Sequence, residues 1–238
     1  MKIVTCYYTI PSKFSKEFYY ENIKRFFRKL TWQRVIFFTD EENFNYLKEF
    51  AGKNIQFVIQ PFEKCPVFED FSEDFWKKEI LNDPEDYHTW QLGAIWASKS
   101  YFVSEASKLC NDEWLIWVDA GCVRNERWDL NNFTARNKFQ HVKVYVQTLN
   151  NIPREDDFFQ FKLGQQLIGG SHILFHRNII VDYIKNYKET VQTYINKNLS
   201  VIDDQYIIAT MTKSSELIFP VLYDISCLDK WFFFFNVI

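Results

Sequence analysis

The sequence contains little glycine and proline, with only six of each among 238 residues. Disordered and low-complexity chains are usually rich in such residues and poor in aromatic side chains. Here aromatic residues make up 19% of the chain. We therefore expect an ordered globular protein, and a chain of this length can bury one sizeable hydrophobic core.

A block of basic residues is also missing. Lysine and arginine total 28 against 31 acidic residues, which gives a formal net charge of −3. Proteins that bind a nucleic-acid backbone usually carry a basic patch or stripe. The composition therefore argues against nucleic acid as a partner, although a few local lysines would suffice to bind a small anionic ligand.

The five cysteines are odd in number and scattered, and none forms a C-x-x-C pair. This pattern gives almost no support to a zinc site and favours reduced thiols.

The chain opens directly into a strand-like run, without an export signal, so we expect a cytoplasmic protein. No apolar run reaches the roughly 18 residues of a membrane span. The short apolar tail at 231–238 is expected to dock on the body; if exposed, it would be the one route to membrane association.

Two nucleotide-binding motifs are absent. Residues 7–13, which follow the first strand-like run, read YYTIPSK and contain no G-x-G-x-x-G turn. A P-loop is missing as well. These absences argue against a dehydrogenase or a methyltransferase that grips its cofactor through a glycine-rich turn.

The pattern that is present is an alternation of short apolar runs with helix-length segments, which is typical of an α/β fold with a mostly parallel sheet. Strands are predicted at residues 2–10, 34–40, 54–61, 113–121, 143–149, 171–177 and 216–224. Helices are predicted at 15–30, 41–51, 86–110, 178–198 and 204–213, with a surface excursion and a short helix between 62 and 85. We therefore predict one α/β domain over residues 1–238, with helices flanking the sheet.

Ligands of open α/β sheets bind outside the carboxyl ends of the strands, so the polar residues at those ends are the first candidates. They are Thr9, Lys13, Thr39, Asp40, Asp119, Arg124 and Asp224.

Asp119 ends the run WLIWVDAG at residues 114–121, which reads as a strand buried on both faces. A carboxylate there must meet a metal, a basic residue or a ligand hydroxyl, because an unpaired buried charge is costly. The small residues Ala120 and Gly121 would let a ligand approach the backbone. The alternative is that Asp119 only caps the next turn, with Gly121 in a left-handed conformation.

Two further segments have both a functional and a structural interpretation. Gly169 and Gly170 precede a strand, where they would leave room for a sugar ring or simply form a bulge. Asp203 and Asp204 precede a helical run, where carboxylates commonly cap the first turn.

In this order and with these separations, the segments resemble a GT-A glycosyltransferase, and more narrowly the bacterial HtrL/YibB (WlaTC/HtrL) family. The matching pieces are VTCYY at 4–8, FTD at 38–40, WASK at 96–99, WVDAG at 117–121, IGG at 168–170 and DDQ at 203–205. Each motif is short, and only the ordered set is moderately specific.

The resemblance implies transfer of a sugar from a UDP- or GDP-sugar to a glycan, lipid or protein hydroxyl. The donor would bind over residues 1–125 and the acceptor against 126–238. The resemblance implies that Thr5, Tyr7 and Asp40 bind the base and ribose, and that Lys99 and Asp119 bind the diphosphate. It also implies that the donor approaches the backbone at Gly121 and that Gly169 and Gly170 contact the sugar. Asp203 or Asp204 would be the catalytic carboxylate.

The sequence departs from the D-x-D pattern usual in GT-A enzymes, because Gly121 replaces the second acid. Asp119 alone would then hold a Mn²⁺ or Mg²⁺ ion together with the diphosphate. Lys99 and Arg124 could instead replace the metal. Two other functions stay open: a non-catalytic nucleotide-sugar or glycan-binding module of the same fold, and a phosphate-ester hydrolase with Asp119 as nucleophile.

Overall fold

The computed structural model describes residues 1–126, 139, 141–153 and 166–222. Two predicted features lie outside these ranges, namely Asp224 at the end of the last strand and the apolar tail at 231–238.

The described residues form seven strands in one sheet with the order β3-β2-β1-β4-β6-β5-β7. The strands are β1 (Lys2–Tyr7), β2 (Val35–Thr39), β3 (Ile55–Ile59), β4 (Trp114–Val118), β5 (Val144–Thr148), β6 (Ile168–His176) and β7 (Ile218–Leu222). Only β6 runs antiparallel to its neighbours β4 and β5, and the other four pairings in the sheet are parallel. The predicted fold class, an α/β domain with a mostly parallel central sheet, is confirmed.

The central strands are continuous apolar runs because both faces of the sheet are covered. On one face, Phe38 and Trp117 pack with Phe102 from a helix. On the other face, Phe37 packs against Phe27 of the first helix. Helices therefore flank the sheet on both sides, as predicted.

The helices are α1 (Lys16–Lys29), α2 (Glu41–Leu47), α3 (Glu73–Glu79), α4 (Trp90–Ala97), α5 (Lys99–Lys108), α6 (Ile180–Asn196) and α7 (Asp204–Ser214). The predicted helix over 86–110 is wrong in extent. It begins only after the cap Thr89, and it is divided into α4 and α5 at Ser98, whose hydroxyl bonds back to the Ala94 carbonyl. Among the described helices, none combines the length and the apolar character needed to cross a bilayer.

The predicted surface excursion at 62–85 is also wrong, although the short helix expected there is present as α3. Val67 and Trp76 are fully buried, and the Trp76 ring packs against Phe71 and Phe75. A helix of two turns is too short for its periodicity to reveal which face is buried.

The paired glycines lie inside β6 rather than before it. A register shift does occur opposite them, between Val146 and Gln147 of β5. Val146 lies opposite Ile173 and Gln147 lies opposite Gly169, so residues 170–172 of β6 are extra in the pairing with β5. The predicted bulge is therefore present within β6, and it includes Gly170.

The strand order reverses direction at β1, whose neighbours are β2 on one side and β4 on the other. A reversal of this kind opens a crevice beyond the carboxyl ends of the two adjacent strands. The fold therefore places its main ligand-binding candidate after Tyr7 of β1 and Val118 of β4.

We expect Trp76→Ala to lower the free energy of unfolding by about 3–5 kcal/mol, the usual cost of deleting a buried aromatic side chain. Trp32→Ala is the matched control, since Trp32 is 53% exposed, and should change stability by about 0.5 kcal/mol or less. Urea unfolding measures both variants. Equal losses in the two would contradict the burial of the 62–85 segment in the core.

Candidate functional site

A cavity of about 710 Å³ lies at the carboxyl ends of β1 and β4. Its wall comes from the segment after β1, the segment before α4, the end of β4, the start of β6 and the beginning of α7. Predicted site residues that line it are Tyr7, Lys99, Asp119, Gly121, Gly170, Asp203 and Asp204. The chain thus brings three separate motifs together at one cavity.

Asp119 follows β4 directly, and its backbone N–H donates to the Ser171 carbonyl at 3.0 Å. The turn after it is closed by the backbone, with Cys122 N–H donating to the Asp119 carbonyl. The carboxylate instead accepts from the Trp117 indole N–H at 2.8 Å. Within the described contacts, this side chain therefore does not cap the turn, and it faces the cavity.

Burial raises the pKa of Asp119 above its usual value. The positive charge of Lys99, the Trp117 hydrogen bond and Arg124 oppose that rise. The carboxylate is thus held between two cationic side chains and one fixed donor.

Lys99 and Asp204 form a buried ion pair on the cavity wall. The Lys99 ammonium lies 2.8 Å from the Asp204 carboxylate, and both side chains are about 95% buried (5% and 4% exposed). The same ammonium donates to the Gly170 carbonyl at 2.8 Å. Lys99, at the start of α5, thereby connects α7 and β6.

The charges of this pair stabilise each other. Burial by itself would lower the pKa of Lys99, but the carboxylates of Asp204 and Asp119 outweigh it and raise that pKa. Burial raises the pKa of Asp204 to about 7, and the Lys99 ammonium opposes this rise. Lys99 is therefore already balanced by protein carboxylates before any ligand binds.

Asp203 caps α7, as the structural interpretation of the acidic pair predicts. Its carboxylate accepts from the Gln205 backbone N–H at 2.8 Å. Burial raises the pKa of Asp203, while the Gln205 hydrogen bond and His88 oppose the rise. Asp203 also lines the cavity, so capping and a role at the ligand are compatible.

Two glycines on the cavity wall are closely approached by neighbouring side chains. A Cβ atom on Gly170 would lie 3.2 Å from the Lys99 Nζ and 3.4 Å from an Asp204 carboxylate oxygen. A Cβ on Gly121 would lie 3.1 Å from the Tyr19 ring. A side chain at position 170 would contact the Lys99–Asp204 pair, and a side chain at position 121 would contact the Tyr19 ring.

Three predicted donor-binding residues lie away from the cavity. Thr5 is completely buried within β1. Asp40 caps α2 and accepts from both the backbone and the side-chain amide of Asn43. Gly169 faces the Gln147 side chain of β5. None of the three therefore lines the cavity.

Sequence reasoning missed Asp83 and His88, which come together beside the cavity. The His88 Nδ1 atom lies 3.0 Å from the Asp83 carboxylate, and His88 lines the cavity. Asp83 belongs to the segment that was interpreted as a surface excursion, and His88 belongs to the predicted helix over 86–110, which in the structure begins only at Trp90. An acid five residues before a histidine was the available signal.

Asp119 is the one predicted metal ligand. No group of three or more metal-binding side chains occurs within residues 1–126, 139, 141–153 and 166–222. Mg²⁺ commonly binds one or two carboxylates and completes its coordination with water and substrate phosphates. Asp119 supplies one carboxylate at the cavity, which is the smallest protein contribution usual for such a site.

No protein-family model matches the chain, and no curated protein matches it. Among solved structures it is similar to the galactosyltransferase LgtC in complex with donor and acceptor sugar analogs (10% identity, 93% of this chain, 73% of that chain, TM-score 0.47). It is also similar to a glycosyltransferase involved in glycosylation of the major capsid of PBCV-1 (11% identity, 95% of this chain, 83% of that chain, TM-score 0.43). A third similar structure is the bifunctional IspDF from Campylobacter jejuni (14% identity, 94% of this chain, 49% of that chain, TM-score 0.40). These similarities are weak, so the function has to be argued from the site.

We expect Lys99→Met to lower the free energy of unfolding by about 3–5 kcal/mol, because it leaves the buried Asp204 carboxylate without its cation. The double variant Lys99→Met, Asp204→Leu should be less destabilised than the sum of the single variants. Urea unfolding of the three variants measures the coupling.

Lys188→Met provides the matched control, since Lys188 pairs with Asp70 at 2.6 Å but is 43% exposed. Its loss should cost about 1 kcal/mol or less. Similar costs for Lys99→Met and Lys188→Met would contradict the buried pair.

Proposed function

We propose that this protein is a glycosyltransferase of the GT-A type that transfers a sugar from a UDP- or GDP-sugar to a hydroxyl group. The observation that carries the proposal is the convergence of Asp119, Gly170 and the Asp203–Asp204 pair on one cavity at the sheet reversal. Its volume of about 710 Å³ falls within the range of about 300–1,000 Å³ typical of small-molecule sites.

Asp119 is proposed to bind the donor diphosphate through Mg²⁺ or Mn²⁺. A diphosphate placed directly beside this carboxylate would be repelled, so a cation between the two is physically favoured. The cation would neutralise the diphosphate and so help it to leave with the electrons of the sugar–oxygen bond. Arg124 and Lys13 line the same cavity and would attract the phosphate groups.

Gly170 is proposed to border the transferred sugar. Its missing side chain leaves the Lys99–Asp204 pair on the cavity wall. Since the pair is also fixed by the Gly170 carbonyl, its charges are held in place before a sugar arrives. Such preorganised polar groups orient sugar hydroxyls without the cost of reordering themselves.

Asp203 and Asp204 are proposed to act on the reacting side, next to the acceptor hydroxyl. The Asp204 carboxylate is fixed by the Lys99 ammonium at 2.8 Å, which suits a group that accepts a hydrogen bond from a sugar or acceptor hydroxyl in a defined orientation. Their placement at the start of α7 supports a role in fixing the acceptor or the sugar as the new bond forms. The acceptor itself is proposed to be a glycan, a lipid or a protein.

The narrower assignment to the HtrL/YibB family rests on the ordered motifs of the sequence. Of the motif residues given donor roles, Tyr7, Lys99, Asp119, Gly121 and Gly170 line the cavity. Base and ribose binding is therefore proposed for Tyr7 alone, and Lys99 is proposed to act through its pair with Asp204 rather than as a free phosphate ligand.

We expect Asp119→Asn to lower kcat/KM for nucleoside diphosphate release from the preferred UDP- or GDP-sugar by about 10²- to 10³-fold, because the amide removes a charge that the transition state needs. Asparagine is similar in shape and still accepts from the Trp117 indole. Asp182→Asn, at an exposed position in the first turn of α6, should match the parent. Steady-state kinetics with a panel of donors measures all three proteins.

Unchanged turnover in Asp119→Asn would refute the role of this carboxylate. Donor binding by the parent without any turnover would instead support the non-catalytic binding module.

A further inference from the structure

Asp83 and His88 form a buried carboxylate–imidazole pair whose ring reaches the cavity. The His88 Nδ1 atom lies 3.0 Å from the Asp83 carboxylate, and their side chains are only 5% and 3% exposed. The His88 ring packs edge-on against Trp96, at 4.9 Å, and against Tyr87, at 4.5 Å. The imidazole is therefore held both by a hydrogen bond and by two aromatic rings.

The backbone of this segment is shaped to make the pair. Pro84 favours an extended conformation at the preceding residue, and Asp83 is extended. The chain then turns, with His88 N–H donating to the Glu85 carbonyl at 3.2 Å. This turn returns His88 to the Asp83 carboxylate.

Asp83 itself is fixed by further donors. Its carboxylate accepts from the Glu85 backbone N–H at 2.8 Å and from the Ser200 hydroxyl at 3.3 Å. A carboxylate with these donors is held as the hydrogen-bond acceptor of the imidazole, so the Nδ1 atom carries the proton. The Nε2 atom is then the basic nitrogen of the ring.

Four acids line the cavity, and besides Glu85, which adjoins the Tyr87 hydroxyl, the other three each have a carboxylate oxygen already engaged. Asp119 accepts from Trp117, Asp203 accepts from the start of α7, and Asp204 is paired with Lys99. For His88, no contact of Nε2 with another described residue competes with a ligand. His88 also lies within electrostatic reach of Asp203, so the imidazole adjoins the acidic pair at the start of α7.

We propose that His88, held by Asp83, is the base that removes the proton from the acceptor hydroxyl; this inference rests on the proposed function. The acceptor oxygen forms a bond to the anomeric carbon of the donor sugar. The bond from that carbon to the diphosphate oxygen breaks, and its electron pair leaves on the nucleoside diphosphate. The acceptor proton moves to Nε2 of His88, from which it returns to solvent. Asp83 is a positioning residue, while Asp203 and Asp204 orient the reacting hydroxyl and sugar.

The test uses water as the acceptor and measures hydrolysis of the UDP- or GDP-sugar that the parent prefers. His88→Ala should lower kcat by about 10²- to 10⁴-fold, with the calorimetric Kd for the donor within about threefold of the parent. Added imidazole should restore the rate of His88→Ala in proportion to its concentration, because it can occupy the space between Tyr87 and Trp96. A merely structural histidine would not be rescued in this way.

Asp83→Asn should lower kcat and leave donor affinity unchanged, because the amide can hold the ring in the wrong tautomer. His141→Gln is the matched control, since His141 is exposed and outside the cavity, and should match the parent. Parent-like kcat in His88→Ala, or a loss of kcat that imidazole does not restore, would overturn the inference while leaving the proposed function intact. A parent protein that neither binds nor hydrolyses any donor would overturn both.

Discussion

The buried ion pair between Lys99 and Asp204 is the interaction on which the rest of the site depends. An ammonium group with little exposure to water is tolerated only when carboxylates and hydrogen-bond acceptors surround it. Asp204 and the Gly170 carbonyl meet that need at 2.8 Å each, and Asp119 adds a longer-range attraction. One lysine therefore fixes the relative positions of α5, β6 and α7 at the cavity wall.

This constraint explains the small residue at position 170. An added Cβ atom would lie 3.2 Å from the Lys99 ammonium, so a larger side chain would require the ion pair to shift by a few tenths of an ångström. The resemblance gave Lys99 a role in binding the donor diphosphate, but its pairing with Asp204 gives it a structural role in the cavity wall. A lysine that is balanced by protein carboxylates organises the site, and two further cationic side chains, those of Arg124 and Lys13, also line the cavity.

The sheet could be predicted from the sequence, because buried parallel strands are continuous apolar runs and need no long-range information. Asp119 was predicted for the same reason, since it directly follows such a run. The boundary of α4 and the burial of α3 were missed because short helices carry too little periodicity. The pairing of Lys99 with Asp204 and of Asp83 with His88 depends on how distant segments or an irregular turn fold together. Thr5 and Asp40 were assigned to the donor by resemblance, but neither lines the cavity, and which strand-end residues reach the cavity depends on how distant segments fold together.

The most direct measurement is calorimetric titration of the parent protein with a panel of UDP- and GDP-sugars, each with and without Mg²⁺ or Mn²⁺. The account predicts saturable binding of at least one nucleotide-sugar at a single site, strengthened by the cation in the parent but not in a variant that lacks the Asp119 charge. Absence of binding across the whole panel, or binding that the cation strengthens equally with and without that charge, would contradict it.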